Sequence, residues 1–189
     1  MKVNGGSLKP GYVIEHMGKI WRVVKTSHVK PGKGGAFCQA ELKDLMVGTK
    51  LNERFRSEDA IERISLEQAD YQFLFGDGDH FTFMHPTSFE QIALDKDDIG
   101  EDFVPFLQDG MAVAVESYEG KIIGVALPEY VTMEVKEAEA VVKGQTASSS
   151  YKPAILENGV RIMVPPYIGA GMRIVVNVYE RSFVERAKD

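Results

Sequence analysis

Tyr12-Val13-Ile14-Glu15-His16-Met17-Gly18-Lys19-Ile20-Trp21-Arg22-Val23-Val24-Lys25 reads as two apolar-rich runs joined by a glycine turn, the signal of a β-hairpin. Beyond it, His28-Val29-Lys30 leads into the loop Pro31-Gly32-Lys33-Gly34-Gly35, and Ala36-Phe37-Cys38-Gln39-Ala40-Glu41-Leu42 returns as a further run. Strands are expected again at Gly48–Phe55 and Ala60–Leu66. Five strands in about sixty residues describe a small barrel.

The chain then starts afresh. Tyr71–Phe75, a turn at Gly76-Asp77-Gly78-Asp79 and Phe81–Met84 form one strand pair. A short helix is expected next, with Thr87 or Ser88 as N-cap and Phe89, Ile92 and Ala93 as its apolar face. A second helical turn is expected near Gly100–Leu107, and Met111–Ser117 with Lys121–Leu127 form a hairpin around Glu119-Gly120. Strand, strand, helix, strand, strand suits a partly open barrel of the OB type. The last third offers Tyr130–Val135, a low-complexity spacer at Lys143–Ser150, Ala154–Leu156, a turn at Asn158-Gly159, Val160–Val164 and Arg173–Val178. The change after Leu66 and Pro128 mark boundaries, so three domains are expected over residues 1–64, 65–128 and 129–189. Each is near the lower size limit for an independent core. The expected molecule is all-β and elongated, three consecutive small barrels.

The 189 residues carry a formal charge of −6, which argues against a simple basic nucleic-acid binder. The average hides an asymmetry. Residues 1–64 hold 12 basic and 7 acidic side chains, residues 65–128 hold 2 and 13, and residues 129–189 hold 8 and 8. Only the first segment is basic, which points to a polyanion partner for one end. The N-terminal Met1-Lys2-Val3-Asn4-Gly5-Gly6 has no apolar core, so no secretory signal is expected. The longest apolar run, Ile122–Leu127, is broken by Gly124 and far too short for a membrane span, so no membrane partner is expected. The single cysteine, Cys38, permits no internal disulfide and fits a reducing cytoplasm; beside Phe37 it reads as a buried, inert thiol.

Chemistry concentrates in the 31–35 loop. Proline fixes its entry, three glycines permit positive φ and a bare backbone, and Lys33 is the only side chain there able to reach a partner. Lys25, His28 and Lys30 precede it on one hairpin arm. At about 3.3 Å per residue, an eight-residue arm carries its tip roughly 25 Å from its base. An exposed turn lysine is the ordinary reading of such a residue. A phosphate-cradling loop fails on spacing, because Ser27 and Gly34 stand where the pattern wants Gly and Ser or Thr. His16, His28, His80 and His85 form no ligand spacing, and Asp77 and Asp79 lack the other positions of a calcium loop. No nucleophile elbow occurs. No catalytic residue, metal or cofactor is expected, and the chain does not read as an enzyme. Among the aromatics of the last third (Tyr130, Tyr151, Tyr167, Tyr179 and Phe183), Phe183 beside Arg181 and Arg186 is the best candidate to stack on a base rather than fill the core.

Lys152-Pro153-Ala154, then Gly159, Ile162, Val164-Pro165, Ile168 and Gly171 resemble the C-terminal signature of the bacterial elongation factor P family. Pro31-Gly32-Lys33-Gly34-Gly35-Ala36-Phe37, Leu45–Phe55 and Phe89-Glu90-Gln91 carry the resemblance across the chain. The resemblance implies a KOW-type barrel followed by two OB-type barrels in an elongated L shape similar to tRNA. It implies a monomeric, cytoplasmic translation elongation factor that binds the ribosome between the peptidyl and exit sites, contacts peptidyl-tRNA and rRNA, and relieves stalling at consecutive prolines. The position of Lys33 implies a contact with the CCA end of the tRNA, and modification there by a ligase resembling lysyl-tRNA synthetase. Lys25, His28 and Lys30 fit the acceptor arm, and Phe183 and Arg186 fit RNA contacts in the last domain. Gly144-Gln145-Thr146 matches a loop near the exit-site codon that in relatives often reads Gly-Asp-Thr. Relatives often have Tyr where this chain has Phe183, a change that keeps stacking and loses the hydroxyl. An elongation-factor-P-like paralogue and a ribosome-independent OB-type RNA-binding protein remain as alternatives.

Overall fold

Met17 and Gly18 have φ of 53° and 73°, and two consecutive positive values give a two-residue loop the twist of the strands it joins. They join β2 (Val13–His16) to β3 (Lys19–Val29) in a computed structural model that describes residues 1–140 and 150–188. The first sheet adds β1 (Lys2–Asn4), β4 (Phe37–Asp44), β5 (Lys50–Arg56) and β6 (Ala60–Ile64), in the order β1-β6-β2-β3-β4-β5. Its pairs are antiparallel. Alternation sorts the side chains: Cys38, Ala40 and Leu42 are buried with Leu8, Ile14, Trp21, Val23, Phe55 and Ile61, while Gln39 is exposed. Cys38 is fully buried, as expected, and burial pushes its thiol pKa up against a weaker opposing backbone bond from Ser27.

One irregularity interrupts that alternation. Val23 pairs with Leu42 and Lys25 with Glu41, so Val24 has no partner and is 41% exposed. A bulge of this kind moves every later side chain to the opposite face. Before it, Trp21 and Val23 face the core; after it, Thr26 and His28 share the face of Ala40 and Cys38.

The second sheet contains β7 (Glu67–Gly76), β8 (His80–Met84), β9 (Gln91–Asp95), β10 (Ala112–Tyr118) and β11 (Lys121–Ala126), in the order β11-β10-β7-β8-β9. Glu119-Gly120, with φ of 50° and 80°, repeats the Met17-Gly18 turn between β10 and β11. The expected helix over residues 87–93 does not form. His85 Nδ1 accepts from the backbone N–H of Thr87 and of Ser88, closing a turn in which Phe89 has φ 58° and is 68% exposed. Gln91-Ile92-Ala93-Leu94-Asp95 then pairs with β8, and its buried Leu94 and half-buried Ile92 follow a period of two. Helical structure comes just later, as α1 (Lys96–Ile99), whose N-cap Asp95 and Asp98 exchange side-chain-to-backbone bonds, and as one 3-10 turn at Val104–Phe106.

The third sheet holds β12 (Tyr130–Ala138), β13 (Lys152–Leu156), β14 (Arg161–Val164), β15 (Arg173–Asn177) and β16 (Ser182–Arg186), in the order β14-β13-β12-β15-β16. Its core includes Met133, Val135, Leu156, Ile162, Val164, Ile174 and Val176. Beyond the expected strands, the structure adds β1, β9 and β16, each at a sheet edge. The chain divides into two compact units: Met1–Glu67 with Ser117–Ile123, and Gln68–Glu116 with Gly124–Asp189. Within the second, polar contacts cross the Pro128 region. Tyr179 donates to the Leu127 carbonyl at 3.0 Å, Asn158 Nδ2 to Pro105 O at 3.1 Å, and Arg181 Nη2 to Asp102 O at 2.8 Å. No helix among the described residues is long and apolar enough to cross a membrane.

Two predictions test these supports. Gly5 passes so close to β5 that a Cβ there would overlap the Arg56 carbonyl oxygen. Gly5→Ala is expected to destabilise the protein by about 1–3 kcal/mol in denaturant unfolding, the usual cost of overpacking. Asp44, 1% exposed, accepts from Met46 N at 2.8 Å and Val47 N at 3.2 Å, and Lys19 Nζ lies 3.2 Å from its other oxygen as an ion pair outside hydrogen-bond geometry. Burial pushes this carboxyl up, but the two N–H donors and Lys19 outweigh it and hold the pKa below its ordinary 3.8. A depressed folded-state pKa gives stability that is present above the unfolded value and lost as pH falls through the folded one. Asp44→Asn should therefore cost about 1–3 kcal/mol at neutral pH. The gap to wild type should close as pH drops below about 4 in a pH series of unfolding curves.

Candidate nucleic-acid interface

The loop that carries Lys33 grows from the longest ribbon of the first unit. Val29 and Phe37 are the last paired residues of β3 and β4, and residues 30–36 close the end. Pro31, Gly32, Lys33, Gly34 and Gly35 are all exposed. Gly34 has φ 111°, a conformation that excludes side chains, so glycine is required there by the backbone. A Cβ on Gly32 or Gly35 would meet nothing within 4 Å. Crowding inside the chain therefore gives no reason for glycine at those two positions, and a bare backbone there leaves room for an external partner.

The bulge at Val24 sets what lies beneath the loop. On the outer face of β3, β4 and β5, Lys25, Ser27 and Val29 stand beside Glu41, Gln39 and Phe37. These in turn stand beside Asn52, Arg54 and Arg56, while Arg22, Lys43 and Lys50 form a row across the three strands. On these three strands, six basic side chains thus share the outer face with one acid, Glu41, which Lys50 pairs at 3.1 Å. The Arg54 guanidinium carbon lies 3.4 Å from the Phe37 ring centroid, a contact worth about 0.5–1 kcal/mol at exposed sites. Like charges opposite one another, such as Lys43 and Lys50, weaken a sheet. A polyanion laid on the face would relieve that repulsion.

The candidate residues divide accordingly. Lys25 belongs to the basic face, whereas His28, on the same arm, faces the other way beside Cys38, so the two point to opposite faces. Lys30 lies in the loop past the last pair and is exposed. Sequence reading does not single out Lys43, Lys50, Arg54 and Arg56, although alternation over Phe37–Lys43 and Lys50–Arg56 places them together, and Arg22 joins them through its pairing with Lys43. In the second unit, Phe183 is half-buried opposite Val176, and Arg186 is exposed on β16 opposite Ile174. Gly144, Gln145 and Thr146 lie outside the described residues. Among the described residues no three His, Cys, Asp or Glu side chains are grouped to hold a metal.

Comparison with known proteins accounts for nearly the whole chain. Residues 4–61 match the family model described as the elongation factor P KOW-like domain. Residues 66–125 match the elongation factor P OB domain, and residues 131–186 match the elongation factor P C-terminal model. The elongation factor P of Parvibaculum lavamentivorans is 57% identical over 187 residues, covering 99% of this chain and 100% of its own. That of a Chelativorans species is 58% identical over 187 residues, with the same coverage. A solved structure described as eukaryotic translation initiation factor 5A from Methanococcus jannaschii is 24% identical, with a TM-score of 0.44, over 68% of this chain and 92% of that one. With matched segments from residue 4 to residue 186 and relatives this similar along their full length, the chain belongs to the elongation factor P family of translation factors.

Proposed function

We propose that the protein binds the ribosome in the cytoplasm between the peptidyl and exit sites and holds peptidyl-tRNA for peptide-bond formation at consecutive prolines. The observation that carries this reading is the placement of Lys33, exposed at the end of a ribbon whose outer face bears six basic side chains. Such a face grips phosphates without reading sequence, and the loop extends one amine past it toward the CCA end. Proline fixes its own φ and offers a secondary amine, so its attack geometry is poor. Orientation of the donor tRNA end supplies what is missing, with no bond made or broken by the factor itself. The protein acts here as a monomeric factor and not as an enzyme.

Residues 1–64, 65–128 and 129–189 serve in this reading as three modules, the first on the acceptor arm through Lys25, Lys30 and Lys33. In the last, Phe183 and Arg186 meet RNA, and Gly144, Gln145 and Thr146 lie near the exit-site codon. The middle segment, with 13 acidic and 2 basic residues, is repelled from RNA. The exposed amine of Lys33 is open to a ligase resembling lysyl-tRNA synthetase, and acylation there lengthens the reach of the tip.

Lys33→Ala is expected to abolish rescue of polyproline synthesis in a reconstituted translation assay while leaving the unfolding midpoint unchanged; full rescue by this variant overturns the reading. Lys33→Arg keeps the cation and offers no primary amine. It should retain ribosome binding yet lose most of the rescue, with no added mass on the tip peptide of protein from the native host. Rescue equal to wild type would show that charge alone suffices.

A further inference from the structure

Phe37 is the last paired residue of β4 before the Lys33 loop, Arg56 is its direct partner on β5, and the Arg54 guanidinium lies over its ring. Arg54 and Arg56 are both exposed, and among the described residues neither guanidinium has an acidic partner. Stacking on an aromatic face uses the flat side of a guanidinium and leaves its in-plane N–H donors pointing past the ring. Two residues apart on one strand face, the two side chains start about 6.6 Å from each other, a spacing that lets them engage neighbouring phosphates of one nucleic-acid strand. Because Arg54 already covers one face of Phe37, that face is closed to a base. The cluster suits a backbone, not a nucleobase.

We propose that Arg54, stacked on Phe37, and Arg56, the strand partner of Phe37, form a phosphodiester clamp at the root of the Lys33 loop that grips the RNA backbone regardless of sequence. The clamp rests on the reading of this barrel as RNA-facing and adds to it a defined anchor. Phe37 ties the clamp to the ladder that launches the loop, so a phosphate held here fixes the base from which Lys33 extends. The Arg54–Phe37 contact holds one guanidinium in place before binding, which lowers the ordering cost of the contact.

The test measures binding of the full chain to ribosomes carrying peptidyl-site tRNA over a salt series, with polyglutamate as a second probe. Arg54→Ala and Arg56→Ala should each reduce the slope of log affinity against log salt by about 0.7–0.9, the loss of one phosphate contact. Phe37→Leu keeps both charges and should keep the slope while weakening binding several-fold. Wild-type slopes in both arginine variants, with wild type itself salt-sensitive, overturn the clamp and leave the RNA-facing reading in place. Absence of salt-sensitive ribosome binding by wild type overturns both. Equal weakening toward polyglutamate and ribosomes overturns the phosphodiester assignment in favour of an acidic protein surface.

Discussion

The unpaired residue Val24 governs the long ribbon, because everything beyond a β-bulge changes face relative to what precedes it. Up to Val23 the strand serves the barrel core, with Trp21 and Val23 packed on Ile14, Leu42 and Phe55. An uninterrupted alternation would have carried Lys25 onto the side of Ala40 and Cys38, both fully buried. Desolvating an unpaired ammonium there would cost more than the bulge loses in ladder bonds. With the extra residue, Lys25 joins Arg22, Lys43, Lys50, Arg54 and Arg56 outside, and the core side of the ribbon receives Thr26 and His28 near its exposed end. One inserted residue therefore reconciles a packed barrel with a one-sided basic face.

The charge pattern is the electrostatic expression of the same division. Two unit charges at 4 Å interact by about 1 kcal/mol in water, and physiological salt screens beyond about 8 Å. Repulsion across an exposed face is thus a modest drain on folding, easily offset by a core in which single leucine truncations cost about 2–5 kcal/mol. Summed over several phosphates, the same charges dominate affinity for a polyanion. A net charge of −6 for the whole chain conceals this because 13 acidic residues sit between 65 and 128. The relevant quantity is charge per face, and the whole-chain sum carries almost no information about it.

How much of this was readable from the sequence depends on whether the deciding contact is local. The Met17-Gly18 and Glu119-Gly120 turns announce themselves, since Gly supplies one of the two positive φ values that each hairpin needs. The exposed glycine loop around Lys33 is local as well. The helix expected at 87–93 rested on Phe89, Ile92 and Ala93 at helical spacing. A turn gathered on His85 and strand pairing with β8 prevailed, because Ile92 and Leu94 satisfy a period of two equally well. The bulge at Val24 is invisible in a run of Val23-Val24-Lys25, since only the partner strand reveals the missing pair. Edge strands β1 and β16 are short and partly polar, and long-range pairing alone gives them their form. In the second unit, Tyr179, Asn158 and Arg181 reach across Pro128 to backbone carbonyls that no sequence pattern marks.

In the proposed reading, function is carried by an exposed basic surface. An enzyme encloses its substrate so that low dielectric strengthens each contact. A basic ribbon with a bare glycine tip does the opposite: it stays solvated until a partner supplies the walls. On that reading a bare backbone suits positions 32 and 35, where the chain itself imposes no crowding, and Lys33, exposed and without a partner among the described residues, is left for an external one to orient. A lysine fixed by intramolecular contacts would have to break them on arrival, whereas a free one spends only its rotamer entropy, about 1.5–2 kcal/mol. Rigidity is needed one step back, at the last ladder pair, where Phe37 lies beneath Arg54 and opposite Val29. The fold thus separates a paired base from an exposed tip, which in the proposed reading lets the barrel set the position of the amine while the partner sets its orientation.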